Sequence, residues 1–256
     1  MILLSQYFLW LITYSFLGWV YESAICSIDE HSLVNRGFLN GPVCPVYGFG
    51  ALASIFFLDQ RADNIIILFF TGMLLTCTVE YITAVLLEKL FHAKWWDYSH
   101  HRVNFQGRVC LLGAVVFGFL SVLLIKYIHP FVGALTNQLP DWALVSAAVI
   151  IFLVVMLDLY ITVRHLIHLN GRLSEIQFAL DRFIDQYAKR AGEFKNALFD
   201  KFEESEFYNE QIKKLINVGR FQDTRLARAF PKLKSLRYND AWQKLKSIVL
   251  TTDKNG

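Results

Sequence analysis

The chain has 256 residues, of which 55% are hydrophobic and 18% are charged, and its formal net charge is +3. A soluble globular domain would be less apolar and more charged, and four cysteines without C-x-x-C or zinc-like spacing exclude a disulfide framework and a zinc module. The charge is uneven, because residues 164–256 hold 18 of the 25 Lys and Arg but only 12 of the 22 Asp and Glu. This asymmetry predicts a transmembrane domain over residues 1–166 and a polar tail over residues 167–256.

Five apolar segments precede the tail, at about residues 3–25, 44–58, 64–87, 109–129 and 142–163. The first is interpreted as a retained helix, because the N-terminus lacks a basic region and a cleavage site. Four segments can cross a bilayer, since a spanning helix needs about 20 residues. The second is short and rich in glycine and proline, which favours a half-helix after a re-entrant loop. The sequence thus predicts an all-α membrane bundle of about five spans, one of them short or broken.

The basic residues predict how the chain crosses a bacterial cytoplasmic membrane. The basic tail is expected in the cytoplasm, and counting back through five spans places the N-terminus outside. The loops 26–43 and 88–108 then lie inside and carry most of the remaining Lys and Arg, whereas the outer connections carry only Arg61 and Lys126. If the second segment does not span, the N-terminus moves to the inside.

Past Arg164 the pattern becomes that of an amphipathic, coiled-coil-like helix. Its apolar residues alternate spacings of three and four, as a coiled-coil seam does. They are Leu173, Ile176, Leu180, Phe183 and Tyr187, continued by Phe194 and Leu198. The pattern predicts self-association through the tail helix 173–198, or docking of a partner helix. A last amphipathic piece, about residues 235–250, carries basic residues suited to an anionic lipid surface.

Three carboxylates, those of Glu22, Glu80 and Asp158, lie inside apolar segments. Each costs roughly 2.5–3.5 kcal/mol at the centre of a membrane helix unless it is partnered or hydrated. The predicted orientation puts all three at a similar depth, near the inner edge of the membrane. Glu80 shares a helix face with Thr83 and two small residues, which favours a position inside the bundle. The alternative is a structural role, in which the acids reach interfacial water or an arginine.

Residues 35–50 form a loop of unusual composition on the predicted inner side. Four glycines and two prolines among these 16 residues prevent a regular helix and leave backbone groups free. At membrane depth such backbone must be buried in protein or line a water-filled cavity. The candidate site residues there are Arg36, Asn40, Cys44 and Tyr47. The alternative is an ordinary surface turn before a helix.

A second loop, residues 95–110, begins with two tryptophans that are typical of an interfacial belt. Its Asp97, Asn104 and Arg108 are expected to pair with the buried acids or to bind an anionic headgroup.

Patterns for other chemistry are weak. The pairs His100–His101 and His165–His168 are poor metal sites, and Cys44 or Cys110 would need a nearby base to act as a nucleophile. The sequence contains no ATPase, protease or dinucleotide-binding motif. We therefore predict no catalytic residue, metal or cofactor and no nucleic-acid partner, and leave open whether the chain is an enzyme.

The two loops carry a resemblance to a known family. The stretches 35–48, 80–83, 96–99 and 104–111 together resemble a bacterial membrane family, the putative type IV ABC-transporter membrane proteins. The resemblance covers about the first 125 residues and implies a multi-pass inner-membrane protein of the permease type. It also implies that any ATPase is a separate subunit. The sequence lacks the Glu-Ala-Ala type of cytoplasmic coupling signature that importer permeases carry.

The leading hypothesis is a permease-like membrane component of a transport system, with membrane lipids and a separate ATPase as partners. Its substrate or ion pathway is predicted near the cytoplasmic face. The pathway residues are Glu22, Arg36, Asn40, Cys44, Tyr47, Glu80, Thr83, Asp97, Asn104 and Arg108. The alternatives are a membrane scaffold or sensor that acts through the helical tail, and an intramembrane enzyme that modifies lipids.

Overall fold

The computed structural model describes residues 1–58, 64–191, 201–202, 205 and 207–254. Most of these residues are helical, and the strands are only two residues long. The helices are α1 (Ile2–Glu30), α2 (Pro45–Leu58), α3 (Ile65–Phe91), α4 (Leu111–Leu123), α5 (His129–Asn137), α6 (Asp141–Ala191), α7 (Glu210–Asn217), α8 (Arg220–Ala229) and α9 (Asn239–Lys254). The strands are β1 (Ala93–Lys94), β2 (Asn104–Phe105), β3 (Val109–Cys110) and β4 (Lys234–Ser235).

Four helices are long and apolar enough to cross a membrane, and they lie at residues 2–28, 65–91, 111–137 and 141–187. In hydrocarbon each backbone N–H must bond within its own segment, which is why these apolar runs fold as helices. The shorter apolar helix α2 joins them. The predicted all-α membrane bundle is thus confirmed, and the protein is a multi-pass membrane protein.

The chain divides into two compact units. The first contains residues 1–86 and 96–162, and the second contains residues 87–95 and 163–256. Helices α3 and α6 each contribute residues to both units.

In the first unit the loop between α1 and α2, residues 31–44, folds back along α1. We call it the return loop. Its Val34 N–H bonds Ser27 Oγ at 3.0 Å, its Arg36 N–H bonds Ser23 Oγ at 3.2 Å, and its Cys44 N–H bonds the Ser15 carbonyl at 2.9 Å. The partners thus move from residue 27 to residue 15 of α1, about 18 Å at 1.5 Å per residue. The second apolar segment is a loop followed by a 14-residue helix, the form predicted for it.

Glycines let α2 lie directly against α1. A Cβ atom on Gly18 would overlap the Tyr47 side chain, and one on Gly48 would overlap Ser15 Oγ and the Leu11 carbonyl. Further along, α2 ends in an apolar core that also contains residues of α1, α3 and α5. The members of this core are Tyr14, Ala51, Ile55, Leu58, Leu68, Leu124, Ile125 and Val132.

The fourth span runs further than the pattern predicted. The predicted segment ended at residue 129, but the helix continues to Asn137. The reason is a π-helical turn over Leu124–Ile128, which joins α4 to α5 just before Pro130. Proline has no N–H and its ring collides with a preceding carbonyl, so the wider turn lets the chain pass it without ending the span.

In the second unit the amphipathic seam of α6 is buried. Leu173, Ile176, Leu180 and Phe183 are each at most 2% exposed. The Ala241 N–H of α9 bonds Gln177 Oε1 at 3.0 Å, and Phe183 packs edge-to-face on Phe202. The unit therefore uses this seam for its own core, while Phe194 and Leu198 lie outside the described residues. Self-association through the tail helix stays a prediction.

Helix α9 belongs to the same core. Its Trp242, Leu245 and Val249 are fully buried, so these apolar side chains pack inside the unit. Contact of the basic residues of the piece 235–250 with an anionic lipid surface stays a prediction. The unit is completed by the pairing of β1 with β4 and by an edge-to-face contact between Trp95 and Phe230.

Candidate functional site

The Glu22 carboxylate joins α1, the return loop and α2. Its Oε2 lies 3.0 Å from Arg36 Nε, and its Oε1 accepts a 2.6 Å hydrogen bond from the Tyr47 hydroxyl. Both side chains of the ion pair are about one-third exposed or less, at 31% for Glu22 and 26% for Arg36. Opposite charge and two hydrogen bonds offset the cost of an acid in an apolar helix.

The Asp158 carboxylate holds the tip of the return loop against α6. The Asn40 N–H and side-chain amide bond Asp158 Oδ1 at 3.1 and 2.8 Å, and the Gly41 N–H bonds Oδ2 at 2.7 Å. A Cβ on Gly41 would lie 3.1 Å from Oδ2, so glycine allows this close approach. The Thr162 hydroxyl also accepts from Asn40, at 2.9 Å. The partners of Asp158 are thus N–H groups of the return loop, whereas the structural alternative drawn from the sequence was interfacial water or an arginine.

Side chains within the return loop and from α1 fix its shape. Trp19 Nε1 donates to Asn35 Oδ1 at 2.6 Å, and Asn35 Nδ2 donates to the Asn40 carbonyl at 2.8 Å. The Cys44 thiol donates to the Arg36 carbonyl at 3.0 Å. The backbone beside the Arg36 guanidinium is therefore held from several sides.

Glu80 of α3 is 9% exposed and shares a hydrogen bond with the side chain of Tyr98, from the loop 92–110. Burial raises the pKa of Tyr98 above its usual range, and the negative charges of Glu80 and then Glu22 raise it further, while Arg36 acts in the opposite direction. Tyr98 therefore shares one electrostatic environment with both glutamates and with Arg36.

The structure places the other predicted residues in local contacts. The Thr83 hydroxyl bonds the Val79 carbonyl of its own helix at 2.8 Å. Asp97 Oδ1 accepts from Ser99, and Asn104 bonds the His101 carbonyl and the Gly107 N–H. Arg108 contacts Gln106 and lies over the Tyr81 ring, 5.4 Å from its centroid. The contacts of Asp97 and Asn104 lie within the loop 92–110, that of Thr83 lies within α3, and Arg108 connects the loop to Tyr81 of α3.

The geometry therefore brings Glu22, Arg36 and Tyr47 into direct contact, with Glu80 and Tyr98 in the same charged environment. Two carboxylates, one guanidinium and two phenols can bind ions or charged groups and exchange protons. Within the described ranges, no group of three His, Cys, Asp or Glu side chains could hold a metal ion.

Sequence reasoning missed Tyr98, although it lies inside a stretch noted for the resemblance. Nothing in its local pattern points to Glu80, which is 18 residues earlier on another element. It also missed Asp223, a fully buried acid of α8 that is bonded by His165 at 2.9 Å and by both Arg172 Nη atoms at 2.8 and 2.9 Å. The sequence treated His165 as a possible ligand, whereas its ring nitrogen has a carboxylate partner.

A profile of the family described as "Putative ABC-transporter type IV" matches residues 9–163 of the chain. The match contains every residue of the site above and extends through the apolar part of α6, beyond the stretches that carried the resemblance. No curated protein and no solved structure matches the chain.

Proposed function

Because this chain belongs to the putative ABC-transporter type IV family, we propose that it is the permease-like membrane component of a transport system. Its polar site is formed by Glu22, Arg36, Tyr47, Glu80 and Tyr98, near the cytoplasmic face. The chain has no nucleotide-binding motif, so ATP hydrolysis would come from a separate subunit.

The observation that carries this proposal is the return loop. Irregular backbone is tolerated at membrane depth only where it is buried in protein or lines a water-filled cavity. Transporters use such broken segments to present backbone and side-chain groups to a solute. Here the loop runs back along α1 between two acids, Glu22 and Asp158, and carries Arg36 on the way.

The ion pair between Glu22 and Arg36 suggests how the site would work. A cation entering the site competes with Arg36 for Glu22, and an anion competes with Glu22 for Arg36. In either case the pair separates when solute binds and closes when solute leaves. Glu80 supplies a second carboxylate to the site, and its hydrogen bond with Tyr98 links this carboxylate to the loop 92–110.

We further propose that the tail and the loop 92–110 face the cytoplasm and that the N-terminus lies outside. The return loop runs back along α1 and α2 follows it, which supports counting the two together as a fifth crossing beside the four long helices. An odd number of crossings puts the N-terminus and the C-terminus on opposite sides of the membrane. Reporter fusions after residues 4 and 254 test this: alkaline phosphatase should be active only at the first position, and green fluorescent protein should fluoresce only at the second. The reverse pattern would contradict the orientation.

The transport proposal is tested with Glu80→Gln, which keeps the shape of the side chain and removes its charge. A deletion strain complemented with wild-type or variant protein is compared by untargeted analysis of solutes inside and outside the cells. We expect the variant to restore at most a tenth of the transport difference that the wild type restores. The matched control is Thr78→Val on the same helix, whose hydroxyl is exposed and bonds the Leu74 carbonyl of its own helix at 2.8 Å. Full restoration by Glu80→Gln would remove Glu80 from the pathway.

Thr83, Asp97, Asn104 and Arg108 keep their predicted pathway roles only as predictions. The same complementation with Asp97→Asn or Arg108→Gln tests them. Because Asp97 bonds Ser99 and Arg108 contacts Gln106 and the Tyr81 ring, either substitution could disturb folding. Loss of transport therefore counts only when the protein level in the membrane is normal.

A scaffold or sensor function is favoured by one observation, the self-contained core of the second unit. Removing residues 169–256 distinguishes the two functions. If the shortened chain still accumulates in the membrane and transports as the full chain does, the tail is not the working part. If the full chain transports but the shortened chain, present at a normal level in the membrane, does not, the tail is needed and the scaffold function is supported. If transport persists in the deletion strain without any form of the chain, the permease function is wrong.

A further inference from the structure

We propose that the turn between α7 and α8, residues 217–221, is a membrane anchor that inserts into the anionic headgroup layer where α6 leaves the membrane. The proposal rests on the multi-pass fold and does not depend on transport. It concerns a surface that neither the site nor the amphipathic seam uses.

The turn presents two large apolar side chains to the outside. Phe221 is 84% exposed and Val218 is 53% exposed. Exposed aromatic and aliphatic side chains on a rigid turn cost free energy in water, and aromatic side chains are enriched at the membrane interface. Gly219 between them has φ of 77°, which gives the tight turn that puts both side chains outward.

Buried bonds fix the turn to α6. Arg172 of α6 donates to the carbonyls of Leu215 and Val218 and holds Asp223 of α8. A Cβ on Gly219 would lie 2.9 Å from the His165 ring. The turn is therefore seated against residues 165–172 of α6.

That position is where the membrane should end. The apolar stretch of α6 closes at residue 163, so residues 165–172 lie about 3–14 Å further along the axis. The headgroup layer adds several ångströms on each side of the hydrocarbon core. Ile167, which is 62% exposed, continues the apolar surface of the helix to the level of the turn.

The charge around the turn fits an anionic lipid surface. Residues 210–232 contain six Lys or Arg and two acids. Of the two acids, Asp223 is buried and forms an ion pair with Arg172, and Glu210 forms an ion pair with Lys213. Exposed Lys214 and Arg164 lie close in sequence to the turn and to the end of the span. Basic residues at this depth are attracted to an anionic leaflet.

The test places the photo-crosslinker p-benzoylphenylalanine at position 221 of the full chain, reconstituted in vesicles of phosphatidylethanolamine and phosphatidylglycerol. Positions 119 and 178 serve as controls, because Phe119 of α4 is 65% exposed inside a span and Phe178 of α6 is 60% exposed but about 22 Å beyond residue 163. After irradiation, intact-protein mass spectrometry counts chains that have gained one phospholipid. All three rings are exposed, so the substitutions should not disturb folding.

We expect lipid adducts at 221 and 119 and at least tenfold fewer at 178. Replacing phosphatidylglycerol by phosphatidylcholine should lower the yield at 221 several-fold and leave 119 unchanged. A yield at 221 as low as at 178, while 119 reacts, would overturn the anchor. So would an adduct of 221 with a second copy or with an added ATPase subunit in place of lipid. An equal yield at 221 in both vesicle types would overturn the anionic preference.

Discussion

Replacing Asp158 by Asn should release the tip of the return loop. Three N–H groups of Asn40 and Gly41 end on the Asp158 carboxylate at 3.1, 2.8 and 2.7 Å. An asparagine keeps one oxygen and puts an NH2 group where the other stood, so one donor loses its acceptor and the others lose the charge. A hydrogen bond to a charged group contributes about 1.5–3 kcal/mol, and we expect loop docking to weaken by about 2–3 kcal/mol.

Hydrogen–deuterium exchange of the full chain in lipid nanodiscs measures this directly. Where exchange follows the opening equilibrium, 2–3 kcal/mol corresponds to roughly 30- to 150-fold faster exchange over residues 36–44. The control is Ser146→Ala on the same helix, because the Ser146 hydroxyl bonds the Trp142 and Ala143 carbonyls of its own helix and does not touch the return loop, as far as the described residues show. If Asp158→Asn exchanges as the wild type does over this segment, the carboxylate does not hold the loop.

Two further variants test the packing, one in each unit. Gly48→Ala should lower the free energy of unfolding by about 1–3 kcal/mol, since the new methyl group would overlap Ser15. The control is Gly133→Ala, because Gly133 has open space around it. If the two variants have equal melting temperatures in detergent, α1 and α2 do not approach closely at Gly48. Asp223→Asn leaves the buried Arg172 without its full partner, and breaking a buried pair costs about 3–5 kcal/mol. Limited proteolysis should then cut residues 205–254 much faster, and an unchanged pattern would show that the pair does not hold the tail.

The sequence was sufficient for the elements that depend on short-range physics. Apolar runs longer than about 20 residues become helices because hydrocarbon offers the backbone no other partner, and α1, α3 and α6 follow the predicted segments. The Gly and Pro content of residues 35–50 correctly excluded a regular helix only as far as residue 44. Residues 45–50 are the first turns of α2, because proline is tolerated in the first turn of a helix and Gly48 is where α2 approaches α1. The heptad-like spacing at Leu173 to Phe183 marked an apolar stripe, and these side chains are buried in the structure. The self-association predicted from the same spacing stays a prediction.

What covers that stripe depended on the tertiary structure, because spacing along one helix does not identify the neighbour. The chain's own α9 is packed with it, and no pattern at residues 235–250 distinguishes a protein neighbour from lipid. The partners of the acids were likewise undetermined: Glu22 meets Arg36 and Tyr47, Asp158 meets Asn40, and Glu80 meets Tyr98. A sequence shows that a carboxylate in an apolar run needs a partner. Which partner it has is decided only by tertiary folding, that of the return loop for Glu22 and Asp158 and that of the loop 92–110 for Glu80.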